Sequence, residues 1–484
     1  MHRFSISPKV STSIIFIAAM FISIMDGTIV NVALPSLSQQ FHMAGTSIDI
    51  VVVAYLVSLS VIIPVSGWMG DRWGTKRVFL SVLSLFSLAS ALCGLAWNIE
   101  ALVFFRALQG LAGGALIPVG TAILYRTFPP SERIRLSSIL MIPTVIAPAT
   151  GPVIGGFFVD QLSWRWIFYV NVPVGIAACI FGLIFLQEYK EPQAGRFDLP
   201  GFVLAGVGLA LTMYALSEGS SFGWLTPGIL GSIIVGVLLL VIFVIVELRT
   251  REPMVDLKLF SNRIFRTCNL VSLFGAAGFL GVLFVAPLYL QEGRGVSALV
   301  SGLTTFPESI GVVLSMQLVA RLYPRIGPRR LTIGGLLWVA IMISLLCFMG
   351  DTTSLWFMRV VIFLTGAGMA YMFLPMQTAA FASITSAGMG RATAMYNVQW
   401  QLGIAFGIAV MSTVLSIVGL TRLGTTGVAV PDLTAYHVAF AVAAVLVLIG
   451  VVIALKVQDK DALATMQRES GRLDEIAETP VPIF

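Results

Sequence analysis

Apolar residues run along this chain in blocks, interrupted by short polar stretches. Fourteen blocks are long enough to cross a bilayer, near residues 12–33, 48–69, 78–97, 101–122, 137–159, 166–186, 199–217, 227–248, 267–290, 299–320, 331–349, 355–375, 394–416 and 436–456. About 20 apolar residues in helical form span a hydrocarbon core of about 30 Å. Within lipid each backbone N–H and C=O must be satisfied inside its own segment, which selects helices. The pattern therefore predicts an all-α polytopic membrane protein. The first block follows Arg3 and Lys9, as the core of a signal peptide would. It is longer than such a core, lacks a clear small-residue cleavage site and contains Asp26, so it reads as a retained span.

Composition agrees. Of 484 residues, 57% are hydrophobic and 11% charged, against about 25% charged in soluble domains. Fourteen spans leave about 200 residues for loops and tails. Neither the loop near Glu247–Arg266 nor the tail after Lys456 is long enough to fold as a nucleotide-binding domain. No Lys is followed by Ser or Thr, so no phosphate-cradling loop is present and an ATP-driven pump is excluded for this chain alone. His2, His42 and His437 are scattered, and Cys93, Cys179, Cys268 and Cys347 lie singly in apolar runs. No metal site is expected, and the cysteines read as buried free thiols.

The net charge of +6 is a matter of placement rather than of nucleic-acid binding. Counted along alternate loops from an inside N-terminus, 24 of the 29 Lys and Arg fall on one side, three on the other, and Arg106 and Arg359 within spans. Basic residues collect on the cytoplasmic side. Both termini are thus expected in the cytoplasm, with the chain integral to a plasma membrane of the bacterial inner-membrane type.

A repeat runs through the same framework. Asp71-Arg-Trp-Gly-Thr-Lys-Arg77 follows the second span and Pro324-Arg-Ile-Gly-Pro-Arg-Arg330 the tenth, at an offset of 253 residues. That offset also places Arg106 over Arg359 and Gly113 over Gly366. Spans 1–6 then recur as spans 9–14, with spans 7 and 8 inserted. The implied organisation is a six-helix half (1–190), a two-helix insertion (191–262), a second six-helix half (263–456) and a cytoplasmic tail (457–484). Two similar halves are the architecture of a transporter that alternates access around a central site.

Four segments carry a more specific signal. They are Gly67-Trp-Met-Gly-Asp71-Arg72-Trp-Gly74-Thr-Lys76-Arg77; Met25-Asp26-Gly27-Thr28 with its continuation to Pro35; Arg106-Ala-Leu-Gln109-Gly110-Leu-Ala-Gly113-Gly114; and Gly151-Pro152-Val-Ile-Gly155-Gly156, followed by Trp164-Arg165-Trp166 through Asn171 and Pro173. Together they resemble the major facilitator superfamily, and within it the 14-span drug–proton antiporters of the EmrB/QacA-like kind. The resemblance covers essentially the whole chain. It implies the major facilitator fold arranged 6+2+6, no enzyme activity, no cofactor beyond protons as coupling ion, a gating turn at Gly67, Asp71, Arg72, Gly74 and Arg77, and an antiporter motif at Gly151, Pro152, Gly155 and Gly156. It also implies coupling between Arg106 and a protonatable acid.

Read by themselves, these residues keep alternatives. Asp26 sits mid-span, where a lone carboxylate is costly, so it should face a cavity and carry a proton; the alternative is a permanent pair with a base or a cap on a broken helix. Ser301, Thr304, Glu308, Gly311 and Ser315 recur at helical spacing, a stripe expected to face water and to bind a cation or a proton, or else to hydrogen-bond a neighbouring helix. Arg106 either couples to the acid or snorkels to the interface. Gly151 and Gly155 allow close, slippable helix contact between halves. Tyr371, Met372, Asn397, Trp400 and Gln401, with Glu308 and Thr304, are candidates for a pliable pocket for flat lipophilic cations.

The expected activity is proton-coupled efflux of hydrophobic, cationic drugs. A second reading keeps the fold and exports a metabolite, lipid, peptide or siderophore; a third is a non-transporting membrane enzyme or receptor. Expected partners are the bilayer and small lipophilic substrates. Nucleic acid is not among them, and an accessory export subunit is left open.

Overall fold

Long apolar runs free of consecutive breakers become helices throughout. The computed structural model describes residues 7–42, 48, 50–191, 195–250, 253–419, 421–423 and 429–466. Its helices are α1 (Pro8–Phe41), α2 (Ile50–Trp73), α3 (Thr75–Gly94), α4 (Ile99–Thr127), α5 (Arg133–Gln161), α6 (Trp166–Tyr169), α7 (Asn171–Phe185), α8 (Leu199–Phe222), α9 (Pro227–Arg249), α10 (Arg263–Leu288), α11 (Ala298–Thr305), α12 (Pro307–Ile326), α13 (Pro328–Leu346), α14 (Leu355–Ala380), α15 (Met389–Val418), α16 (Thr434–Ala454) and α17 (Leu463–Met466). Thr421–Leu423 and Ala429–Pro431 pair as a short antiparallel ribbon between α15 and α16.

Thirteen helical stretches among the described residues are long and apolar enough to cross a membrane. They coincide with thirteen of the fourteen predicted runs; the other, 137–159, lies on α5. That helix has 29 residues and at about 1.5 Å per residue is long enough to cross, though several of its side chains lie outside the described residues. Two runs are broken helices. The sixth is α6 and α7, and the tenth is α11 and α12, which part where Pro307 opens the second helix.

Packing groups the chain into two units. The first comprises Met1–Thr127, Ile139–Ser261 and Thr385–Ile417; the second comprises Phe128–Ser138, Asn262–Ile384 and Val418–Phe484. In the first unit α2 lies along α4, α3 joins α4 and α7, α8 packs on α2, and α9 packs on α8. Two apolar clusters fill this unit. Ile15, Ala19 and Ile22 of α1 belong to one, with Leu83 and Phe86. Ile29, Val30 and Ala33 belong to the other, with Cys93 and Phe168. Asp26 falls on α1 between these two sets. In the second unit α12 and α13 each pack on α14, and α10 packs on α16.

Small residues permit the closest approaches. A side chain at Gly110 or Gly114 would strike the backbone of α2 at Tyr55 and Leu59. That row on α4 brings Arg106 within reach of both α1 and α2.

Candidate functional site

The first unit encloses a charged network. Asp26 and Arg106 are both 0% exposed, and Arg106 Nη1 donates to Asp26 Oδ2 at 2.5 Å. Asp26 Oδ1 accepts from Gln109 Nε2 at 2.8 Å and from Asn171 Nδ2 at 2.7 Å. Arg106 also donates from Nη1 to Gln109 Oε1 at 2.8 Å and from Nε to Val51 O at 3.3 Å. Its guanidinium lies over the Tyr55 ring, 4.2 Å from the centroid. Asn171 Nδ2 reaches Ser90 Oγ at 3.1 Å, and Ser90 Oγ donates to Phe168 O at 2.9 Å. The Tyr55 hydroxyl donates to Ser23 O at 3.1 Å. One carboxylate thus ties α1 to α4 and α7, and one guanidinium adds α2.

This geometry decides between the readings of Arg106. It does not snorkel; its side chain turns inward onto Asp26. Asp26 in turn faces a guanidinium and two amides rather than an open cavity. A charge buried away from water is tolerated when it is paired and hydrogen-bonded; Gln109 and Asn171 both donate to the Asp26 carboxylate, while Arg106 Nη2 and Asn171 Oδ1 have no hydrogen-bond partner among the described residues. Sequence reading named Asp26 and Arg106 but passed over Asn171, Gln109, Ser90 and Tyr55 as site residues. Their signal was available, since each is a polar side chain inside an apolar run.

The antiporter-motif glycines act beside this network. A side chain at Gly151 would collide with Thr28, and one at Gly155 would lie 2.8 Å from Ile29. Gly156 has open space around its Cα, and the Pro152 side chain lies outside the described residues. Gly151 and Gly155 approach α1 closely within the first unit, at Thr28, Ile29 and Val32.

The α2–α3 turn is also built in detail. Asp71 Oδ1 pairs with Arg126 Nη2 at 2.7 Å, both side chains buried, and Arg126 Nε donates to Ser386 O at 3.0 Å. A side chain at Gly390, in the first turn of α15, would lie 2.8 Å from Asp71 Oδ1. One at Gly67 would strike the Gly390 carbonyl. The Asp71 carboxylate thus sits by the N-terminus of α15, where the helix dipole favours an anion. Gly74, at φ +99°, caps α3. The Glu188 carboxylate accepts from Lys76 N at 2.9 Å and Arg77 N at 3.3 Å. Thr75 N donates to Tyr189 O at 2.8 Å. Burial, and then the hydrogen bond it donates to Glu191, hold the Tyr189 phenol above its ordinary pKa, and Arg126 stacks on that ring. Arg72 and Arg77 are exposed.

The repeat of this turn keeps the device despite Pro324 replacing the acid. Gly327, at φ +83°, caps α13, and Asp459 Oδ1 accepts from Arg329 N at 2.9 Å. Glu188 follows α7 in the chain, and Asp459 follows α16. Sequence comparison of the turns found the glycines and missed these carboxylates, which lie far along the chain.

The second unit holds the other acid. Glu308 is 9% exposed, and Ser309 Oγ donates to its Oε2 at 3.3 Å. No cationic side chain pairs with it among the described residues. The expected wet stripe is corrected. Ser301 and Thr304 are buried, and a side chain at Gly311 would collide with Phe363 of α14. Thr304 Oγ1 donates to Val300 O within its own helix. The small and polar residues let α11 and α12 approach α14, so most of the stripe is packed. Met372 is fully buried against Gly275, while Tyr371 lines a groove beside α13. Asn397 donates to Thr393 O at 2.8 Å; it, Trp400 and Gln401 lie on α15, in the first unit. The pocket candidates therefore belong to both units. Among the described residues no three His, Cys, Asp or Glu side chains gather to hold a metal.

Comparison with known proteins fits this build. The family model of the Major Facilitator Superfamily matches residues 16–408 and 270–473. The chain belongs to that superfamily. It is 30% identical over 397 residues to a multidrug resistance protein B homolog of Mycobacterium tuberculosis, covering 81% of this chain and 73% of that one. It is 30% identical over 404 residues to the MFS-type transporter YhcA of Bacillus subtilis, covering 84% and 76%. The human organic anion transporter MFSD10 has the same fold, with a TM-score of 0.68 at 15% identity over 93% of this chain and 100% of that one. So does the proton:xylose symporter XylE, at 0.65 and 13% over 95% and 98%. The protein is accordingly an integral membrane transporter of the secondary type, not an enzyme, and its relatives include multidrug resistance proteins.

Proposed function

We propose that this transporter exports hydrophobic, cationic compounds across the cytoplasmic membrane in exchange for protons, by alternating access between two related six-helix halves, with both termini in the cytoplasm. The observation that carries this reading is the Asp26–Arg106 pair held by Gln109 and Asn171. In its ionised form Asp26 binds α4 and α7 to α1. A proton arriving on the carboxyl removes the charge that holds Arg106 and converts an acceptor into a donor facing donors. The three helices then lose their common tie. The segment of α1 just beyond, Thr28–Ile29, bears on Gly151 and Gly155, so loosening at Asp26 passes directly to α5. A ligand shifts such an equilibrium only through different affinity for the two states. Proton and cargo compete through that difference.

Glu308, buried without a cationic partner, supplies the attraction for a positively charged cargo. The kinship with a multidrug resistance protein supports drugs over metabolites as that cargo. Asp26→Asn keeps the side chain's shape while fixing it neutral. In inside-out vesicles energised with a proton gradient, this variant should lose gradient-driven dye transport while still binding dye. Transport at the wild-type rate would reduce Asp26 to a structural ion pair.

A further inference from the structure

The second unit carries a groove that the transport cycle above does not use. It runs between α12, α13 and α14, has a volume of about 480 Å³ and is lined by Leu322, Ile326, Leu331, Gly334, Trp338 and Tyr371, with Arg330 at one end. Grooves of about 300–1,000 Å³ are of ligand size. Around it Leu314, Leu318, Leu337 and Ile341 are exposed apolar side chains, as on a lipid-facing wall. A side chain added at Gly334 would meet nothing within 4 Å, so the groove is open along this helix rather than filled by its neighbours.

Its charged end is one-sided. Arg321, Arg325, Arg329 and Arg330 are all exposed, and among the described residues none of the four guanidiniums has a carboxylate within ion-pair distance. The nearby acid, Asp459, is directed to the backbone of Gly327 and Arg329. From Arg330 to Trp338 the helix rises by about 12 Å at 1.5 Å per residue. Arg330 thus stands at one end of a lipid-facing apolar channel, with Arg329 beside it in the chain.

We propose that this groove binds one anionic glycerophospholipid, its phosphate on Arg330 and the neighbouring arginines and an acyl chain laid along Gly334 towards Trp338. The occupant must be both anionic and long-chained. The Arg330 guanidinium in the groove, without a carboxylate partner among the described residues, is complementary to a phosphate, and the apolar walls are complementary to a hydrocarbon tail. A free phosphate would leave those walls uncovered, and a neutral lipid would leave the arginines unanswered.

Native mass spectrometry of the full chain in detergent, with phosphatidylglycerol or phosphatidylcholine added, tests this. Wild type should retain one phosphatidylglycerol in preference to phosphatidylcholine. Arg330→Gln should weaken that retention about fivefold, the worth of one basic group at an anionic lipid surface. Gly334→Leu, which fills the channel, should weaken it about tenfold or more. Lys258→Gln, an exposed cation in the other unit, should leave it unchanged. Equal retention of the two lipids overturns the proposal. So does a loss with Arg330→Gln that Gly334→Leu fails to reproduce, because the arginines would then attract headgroups without a seated chain. A second measurement leaves the channel lining unfilled. Acyl-brominated phosphatidylglycerol should quench the fluorescence component that Trp338→Phe removes, and more strongly than brominated phosphatidylcholine at the same mole fraction. Equal quenching by both lipids rejects the site even if Gly334→Leu fails to fold.

Discussion

Arg106 makes contacts that a lysine cannot copy. Its Nη1 bridges Asp26 and Gln109, its Nε reaches the Val51 carbonyl, and its flat face lies on Tyr55. A lysine supplies one compact charge without the planar fork. Arg106→Lys should therefore keep the buried charge balanced and the protein folded, yet lower the rate of proton-driven efflux at least about tenfold, as measured in vesicles. Wild-type transport would show that charge alone suffices. Glu308 stands in contrast, since no cation among the described residues answers it. Glu308→Gln should harm transport of a divalent dye most, a monovalent dye less and a neutral compound least, because the lost attraction scales with cargo charge. Equal losses for all three would point to Glu308 as a second proton site. Both acids were legible in the sequence as charges within apolar runs, but their surroundings were not. Asp26 meets Arg106 across 80 residues of chain and Asn171 across 145, separations that no local pattern reports. On the tenth span the same spacing of small and polar residues fits a wet face and a tightly packed one, and packing is what α14 makes of it.

Among elements, the α2–α3 turn shows what a motif leaves unsaid. Gly74, at φ +99° and ψ 133°, occupies a sparsely populated backbone region that costs an L-residue about 1–3 kcal/mol, and an added side chain would lie 2.6 Å from Glu188. Gly74→Leu should slow turnover while leaving substrate affinity nearly intact, because the turn touches other helices rather than cargo. Parallel measurement of dye binding and dye efflux separates the two. An equal loss in both would place the turn in the binding path. The element boundaries themselves were largely legible, because twenty apolar residues have one favourable form in lipid. The breaks at α6–α7 and α11–α12 were not. Each interrupts a run whose hydropathy continues across it, so hydropathy gives no sign of the break, although Pro307 marks the second one.

For the whole molecule, the asymmetry of basic residues fixes an expectation about sides. The turn after α8 spans Gly223–Thr226, and Leu225 there is 85% exposed. A cysteine at Leu225 should react with a membrane-impermeant maleimide on intact cells, whereas one at Lys460 should react only after the cells are opened. Labelling of both from outside would contradict the 24-to-3 distribution as an orientation signal. The fourteen apolar runs and the repeat at 253 residues made the superfamily fold readable from the chain. How α15 joins the first unit was not readable, because that grouping depends on packing such as Gly390 beside Asp71, residues far apart in the sequence.

The carboxylate caps on the two glycine turns carry a consequence for biosynthesis. Glu188 follows Lys76 by 112 residues, and Asp459 follows Arg329 by 130. At about 5–20 residues per second, each turn leaves the ribosome roughly 6 to 26 s before the acid that completes it. During that interval the exposed amides of α3, and later of α13, have only water or lipid headgroups as partners. The sixth span must be made before the first turn is set. The second turn waits until Asp459 has been synthesised, so a chain cut short after α16 but before Asp459 would hold α1 to α16 with one turn still unfastened.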